Sequence, residues 1–239
     1  MNKKVVFAAM PIGNNDHIAI AFKNYLNQTD IAIVETEKVF KNFCDINGVY
    51  INNIYEYNNS NSLEIILNGI KNNKNILVVS NDGYPNIQDF ASPLIQSLIE
   101  NNIEIELIPG PNAILQSLFF SGFDGDSGQF YFGGRIPNTD TVKFLETLSN
   151  INCPIVLICI PFLNKHLEDI ATVFPYRDIA ICIDLSKPTQ KIIRGKTTNA
   201  LEFIKPYRLF PFNFDIINGW KNNIHTFYSH YTLVISQIK

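Results

Sequence analysis

Ile76-Leu77-Val78-Val79-Ser80-Asn81-Asp82-Gly83-Tyr84-Pro85 is the stretch on which the fold turns. Ile76–Ser80 is apolar without alternation, the pattern of a strand buried on both faces inside a parallel sheet. The Asp-Gly and the proline that follow end it in a turn. On the N-terminal side Ser62–Lys71 puts Leu63, Ile66, Leu67 and Ile70 on one helical face. On the other side Asp89–Glu100 reads as a helix and Ile103–Ile108 as a strand. The unit is therefore helix–strand–helix–strand, which implies parallel strands with crossover helices.

The same alternation runs back to the start. Lys4–Met10 reads as a first strand, stopped by Pro11 and Gly13. Asp16–Leu26 reads as an amphipathic helix with Asp16 capping it, and Ile31–Val34 as a strand. Val39–Ile46 reads as a helix ended by Asn47-Gly48, and Tyr50–Tyr57 as a third strand or an edge. Ala113–Phe120 is a helix stopped near Gly122. Beyond Ser127 the texture changes. Strands are expected at Gln129–Phe132, Ile155–Ile160, Ile179–Asp184, Gln190–Arg194 and, with strong alternation, Tyr231–Ile238. Helices are expected at Thr141–Leu148, Leu163–Phe174 and Thr198–Ile204. The Gly/Asp/Ser cluster Phe123–Gly128 separates the two patterns. The expected architecture is α/β, with domains at residues 1–123 and 128–239.

Composition narrows the function. A chain of 239 residues suits one or two domains. With 46% apolar residues it is no disordered chain. Its net charge of −3 is not that of a general nucleic-acid coat, although an RNA enzyme with a local basic patch is compatible with it. The longest apolar run, Cys153–Leu163, has 11 residues, too short for a spanning helix of about 18–20. The apolar stretch Val5–Met10 is followed at once by polar residues, and reads as a strand rather than an export signal. Cys44, Cys153, Cys159 and Cys182 form no tight ligand pair, which suits a reduced, cytoplasmic protein. His17, His166, His225 and His230 are equally scattered, and no metal site is expected.

Ligands of open parallel sheets bind beyond the carboxyl ends of the strands. Three loops lie there. Met10-Pro11-Ile12-Gly13-Asn14 follows the first strand and lacks the GxGxxG of a nicotinamide or flavin site. Asn81-Asp82-Gly83-Tyr84-Pro85, with Asp89 after it, offers an acid for an amine or hydroxyl and a glycine that permits close backbone approach. Pro109-Gly110-Pro111-Asn112-Ala113 makes a rigid turn into a helix N-terminus, with Asn112 as a suitable cap. Each alone is compatible with an ordinary turn.

Taken in order and spacing, PIGN, SNDGYPxxxD and PGPNA resemble the tetrapyrrole methylase superfamily. The branch they are most similar to methylates the 2′-hydroxyl of a cytidine ribose in 16S ribosomal RNA, and reads TPIGN, SDAGTPxxSDPG and PGPSA at these loops. Val34-Glu35-Thr36-Glu37-Lys38 resembles its A-E-D-T-R, Asp184-Leu185-Ser186-Lys187 its E-L-T-K, and Ser121-Gly122-Phe123 its S-G-L. Ile192-Ile193-Arg194-Gly195-Lys196 resembles its R-G-T stretch, so the likeness spans about residues 4–204. The resemblance implies a class III methyltransferase that uses S-adenosylmethionine, with two α/β domains, the cofactor in the cleft between them, and commonly a homodimer. It implies cofactor contacts at Pro11, Asp82, Gly83, Pro85, Asn112, Ala113, Ile160 and Leu185. Glu35 and Lys187 are the candidate catalytic residues: a base or RNA contact, and a phosphate-neutralising cation. Arg135 is a further candidate contact.

The departures are equally specific. The acid of the second loop stands at Asp82, one position later than in the branch, and Tyr84 replaces a small threonine. Thr36 replaces an acid. Leu157–Phe162 lacks the Glu, His and Arg of the branch's F-Y-E-S-P-H-R motif. The aromatic residues Tyr207, Phe210, Phe212, Phe214 and Trp220 suit either base stacking or packing. The expected partner is 16S ribosomal RNA or the small ribosomal subunit, with no membrane role. A methyltransferase of a small molecule, tetrapyrrole or peptide, and a non-catalytic relative that binds S-adenosylmethionine, are the alternatives.

Overall fold

The computed structural model describes residues 4–123, 128–159, 163–205 and 231–238. The chain forms two compact units, divided at Asn112/Ala113.

The first unit comprises β1 (Lys4–Ala8), α1 (Ile20–Leu26), β2 (Ile31–Val34), α2 (Glu37–Ile46), β3 (Asn53–Glu56), α3 (Ser62–Lys71), β4 (Ile76–Val79), α4 (Ala91–Glu100) and β5 (Glu104–Ile108). Its five strands are all parallel, in the order β3-β2-β4-β1-β5. The apolar Ile76–Val79 is thus the middle strand, and all four of its side chains are fully buried. Alternate residues face opposite layers. Val6, Ala8, Ala32, Val34, Leu77 and Val79 pack with Phe22, Leu26, Phe40 and Phe43 of α1 and α2. Val5, Phe7, Ile31, Ile33, Ile76 and Val78 pack with Ile66, Ile70, Leu94 and Leu98 of α3 and α4. Gly69 lets α3 lie against the sheet, because a Cβ there would stand 2.9 Å from Ile31 Cδ1.

The first helix departs from the expectation. Asn14, rather than Asp16, accepts the capping hydrogen bond, from the Asp16 N–H at 2.9 Å, over a 3-10 turn at Asn15–His17. Ile18 and Ala19 are extended, and α1 begins only at Ile20, itself 80% exposed. At the start of α2 the cap comes from another strand. The Glu37 N–H donates to Glu56 Oε1 on β3 at 2.8 Å, a carboxylate on a helix N-terminus.

The second unit comprises α5 (Ala113–Ser121), β6 (Tyr131–Arg135), α6 (Thr141–Thr147), β7 (Ile155–Cys159), α7 (Leu163–Val173), β8 (Asp178–Ile183), β9 (Lys191–Lys196), α8 (Ala200–Ile204) and β10 (Tyr231–Ile235). Its sheet, β6-β7-β10-β8-β9, is mixed. Only β6 and β7 pair in parallel; β10 runs antiparallel to both β7 and β8, and β8 to β9. The last strand expected at Tyr231–Ile238 is β10; it lies mid-sheet, and all five of its residues are buried despite the alternation. α5 packs on β7, β8, β9 and β10. It therefore goes with the second unit, and the division falls at Asn112/Ala113 rather than at Phe123–Gly128. Arg194 on β9 secures the end of α5: its Nε donates to the carbonyl oxygens of Phe120 at 2.9 Å and Ser121 at 3.2 Å.

All four cysteines are free thiols. Among the described residues no helix is long and apolar enough to cross a membrane, and no group of three or more His, Cys, Asp or Glu side chains is arranged to hold a metal ion.

Candidate functional site

The strand order of the first unit marks one place for a ligand. β1 and β4 are neighbours, yet α1 after β1 lies on one face of the sheet and α4 after β4 on the other. The loops leaving the two strands must part, and such a topological switch point opens a crevice at the carboxyl edge. Met10–Asn14 and Ser80–Pro85 are those two loops.

Backbone hydrogen bonds join them. The Met10 N–H donates to the Gly83 carbonyl at 2.8 Å, and the Gly83 N–H to the Met10 carbonyl at 3.1 Å. Gly83 holds this exchange at φ +60°, where a side chain would be strained. The Ser80 hydroxyl, buried, donates to the Asp82 carbonyl at 2.9 Å and fixes the turn from inside. The third loop joins at β1's exit. The Ala9 N–H donates to the Ile108 carbonyl at 3.1 Å. Gly110 lies so close that a Cβ there would stand 2.9 Å from the Ala9 carbonyl oxygen. The Gly110 N–H donates to the Tyr84 hydroxyl at 3.3 Å. Three loops separated along the sequence are thus one hydrogen-bonded assembly.

Within it Pro11 and Pro85 are buried, Gly83 is half-buried and Asp82 is exposed. Glu35, exposed beyond the end of β2, accepts from the Asn81 N–H at 2.9 Å. The Asn81 side chain donates to the Thr36 hydroxyl at 3.2 Å. The threonine that replaces the branch's acid is therefore a hydrogen-bond partner of the second loop. Asp89 is the residue whose importance spacing alone does not show. Burial pushes its carboxyl up to about 6, and the charges of Glu35 and Asp82 act in the same direction, against the Phe90 N–H that donates to it at 2.8 Å. Glu35, Asp82 and Asp89 therefore share one local field. The only sign of this in the sequence is an acid following the Asp-Gly loop at helix entry.

In the second unit Leu185 is buried in the β8–β9 turn. Asp184 and Ser186 flank it at φ +50° and +66°, conformations uncommon for non-glycine residues. Lys187 Nζ lies 3.1 Å from Asp184 Oδ1, and the Thr189 hydroxyl donates to Asp184 Oδ2 at 3.0 Å. The Ser186 hydroxyl donates to Gln116 Oε1 of α5 at 3.0 Å, and the Ser186 N–H to Gln190 Oε1 at 2.7 Å. The Lys187 ammonium is thus held within the turn it follows. Asn112 closes the first unit and Ala113 opens α5, both half-buried. Arg135 is exposed at the end of β6. Ile160, and the aromatic residues from Tyr207 to Trp220, lie outside the described residues, as do His225 and His230.

A parallel α/β unit with a built switch-point site, followed by a unit with a mixed sheet, has counterparts among methyltransferases. Uroporphyrin-III-C-methyltransferase from Thermus thermophilus has this fold: the likeness has a TM-score of 0.63 at 12% identity and covers 98% of this chain and 94% of that one. The sequence goes further. The model of the Tetrapyrrole (Corrin/Porphyrin) Methylases matches residues 4–201, and the chain belongs to that family; it is a methyltransferase. Among its relatives is a protein named Ribosomal RNA small subunit methyltransferase I from Mesomycoplasma conjunctivae, 29% identical over 82% of this chain and 83% of the relative. Another of the same name, from Thermotoga maritima, is 29% identical over 83% of this chain and 90% of the relative.

Proposed function

We propose that this methyltransferase uses S-adenosylmethionine and methylates small-subunit ribosomal RNA at a ribose 2′-hydroxyl. The cofactor reading is supported by one observation above all: three loops, distant in sequence, are joined at the switch point, the place where open parallel sheets take their ligands. Gly110 packs too closely on the Ala9 carbonyl for a Cβ, and Gly83 holds a positive φ while bonded both ways to Met10, so the two glycines let the three loops close on one another at the carboxyl edge of the sheet. The donor set suits the group as well. S-adenosylmethionine carries a sulfonium and an ammonium, and Glu35, Asp82 and Asp89 supply a negative field on that side of the loops.

Pro11, Asp82, Gly83 and Pro85 would hold the cofactor from the first unit, with Asn112. Ala113 and Leu185 are the corresponding candidates in the second unit. When bound, the cofactor supplies an electrophilic methyl group on sulfur. The chain's own task is to align an acceptor oxygen with that methyl and to remove its proton. Glu35 is our candidate base. It stands exposed at a strand's end, with its backbone fixed by β2 and its carboxylate oriented by the Asn81 N–H. Lys187 is the candidate phosphate contact, with Asp184 fixing its direction.

The acceptor reading rests on the relatives named for small-subunit ribosomal RNA, whose likeness spans over four-fifths of the chain. A ribosomal acceptor implies a cytoplasmic location, and the resemblance to its family is the ground for proposing a homodimer. The test is titration with S-adenosylmethionine and S-adenosylhomocysteine, then transfer of labelled methyl to small ribosomal subunits. Micromolar binding and label in the RNA are expected. Binding with no label in RNA would remove the acceptor, and no binding would remove the cofactor.

A further inference from the structure

The third loop is chemically unusual. Pro109 and Pro111 carry no backbone N–H, so Gly110 holds the sole main-chain donor between Ile108 and Asn112. That donor points at the Tyr84 hydroxyl, at 3.3 Å. Tyr84 is itself firmly placed. The preceding Gly83 is bonded both ways to Met10, and the following Pro85 is buried and accepts from the Ala91 N–H at the start of α4, at 2.8 Å. A residue before proline has restricted backbone freedom. The Tyr84 carbonyl accepts from the Ile87 N–H at 3.1 Å. The backbone that aims the phenol is therefore fixed on both sides.

We infer that Tyr84 is a positioning residue for the cofactor, a latch that holds the Pro109–Asn112 loop against the β4 loop by accepting the Gly110 N–H. A threonine, the residue the related branch reads at this place, is too short to reach as a phenol does. This chain thus replaces a small side chain with a strut across the mouth of the switch point. The latch acts on ligand affinity, because it orders a loop before the ligand arrives. A latch of this kind acts on affinity and leaves the transfer step at saturation unchanged, a split that the Michaelis constant and kcat read directly.

This inference rests on the cofactor reading above, and its test separates the two. Tyr84→Phe removes only the hydroxyl, and Tyr84→Thr serves as the second variant if the phenylalanine protein does not fold. Two quantities are read: amide exchange at Gly110 by NMR, and affinity for S-adenosylhomocysteine by calorimetry. A net hydrogen bond corresponds to roughly a two- to tenfold change in an equilibrium. The expected result is faster Gly110 exchange by about that factor and a weaker dissociation constant by the same factor. The Michaelis constant for S-adenosylmethionine should rise alike, with kcat at saturation unchanged. Unchanged exchange at Gly110 overturns the latch. Faster exchange with unaltered affinity overturns its role in positioning. A wild-type protein that binds no S-adenosylhomocysteine overturns the cofactor reading and, with it, this role, even where the exchange result shows that the bond exists.

Discussion

Replacing Asp89 by asparagine should stabilise the protein at neutral pH and do progressively less as the pH falls. Burial, with help from Glu35 and Asp82, raises the Asp89 carboxyl from the ordinary 3.8 to about 6. A group whose pKa is higher folded than unfolded contributes stability below its unfolded pKa and loses it as pH rises through the folded one. Here that window runs from 3.8 to about 6. At about 1.4 kcal/mol per tenfold change in proton affinity, full conversion would give about 3 kcal/mol. Asp89 is only half-buried and water screens the charges around it, so about 1 kcal/mol is the expected remainder. Asparagine retains an oxygen for the Phe90 N–H, so the local turn should persist. In thermal unfolding at pH 4, 6 and 8, Asp89→Asn should melt about 2–4 °C above the wild type at pH 8. The gap should narrow steadily towards pH 4. An asparagine protein that melts lower at pH 8, or a gap that does not depend on pH, would show that Asp89 does not carry a burial cost in the folded state.

Other outcomes follow from the same geometry. Glu35→Gln should lower kcat about a hundredfold or more, the usual contribution of a general base, while affinity for S-adenosylhomocysteine falls far less, because glutamine can still accept from the Asn81 N–H and only one of the three nearby charges is lost. Turnover within a few-fold of wild type would remove Glu35 from the chemistry. Arg194→Ala should cost about 1 kcal/mol by freeing the Phe120 and Ser121 carbonyls at the end of α5, measured by urea unfolding. Arg194→Lys should recover only part of this, since a lysine cannot reproduce the planar fork. Leu77→Ala, in the middle of the first sheet, should cost about 2–5 kcal/mol in the same assay.

Much of the first unit was legible because its cues are local. Ile76–Val79 is an unbroken apolar run, and only a strand covered on both sides needs one; Ser62–Lys71 has one apolar face and lies where expected. The second unit hides more. Whether Tyr231–Ile235 is an edge or a centre depends on β7 and β8 arriving on either side, which no window of sequence contains. The division of the chain depends likewise on which sheet α5 packs against, not on the turn-rich cluster that follows it. The start of α1 is not legible because Ile18, Ala19 and Phe22 fit one helical face, while Asn14 caps a separate turn upstream. In the candidate site, loop order and spacing mark three strand ends, and the structure joins the loops that leave them. What they could not show was contact: that Glu35 holds the Asn81 N–H, that Asp89 shares its field with Glu35, or that Tyr84 meets Gly110. Those pairs are made by strand order, which brings β2, β4, β1 and β5 side by side.

Everything proposed for the site on the first unit turns on methyl transfer to ribosomal RNA. Its most direct test is incubation of the purified protein with labelled S-adenosylmethionine and small ribosomal subunits that lack the modification, followed by nuclease digestion of the RNA. Label is expected in a single 2′-O-methylated nucleoside, and is expected to be lost in Glu35→Gln. Label confined to ribosomal protein or to a base, or no label from a protein that binds S-adenosylhomocysteine, would contradict it.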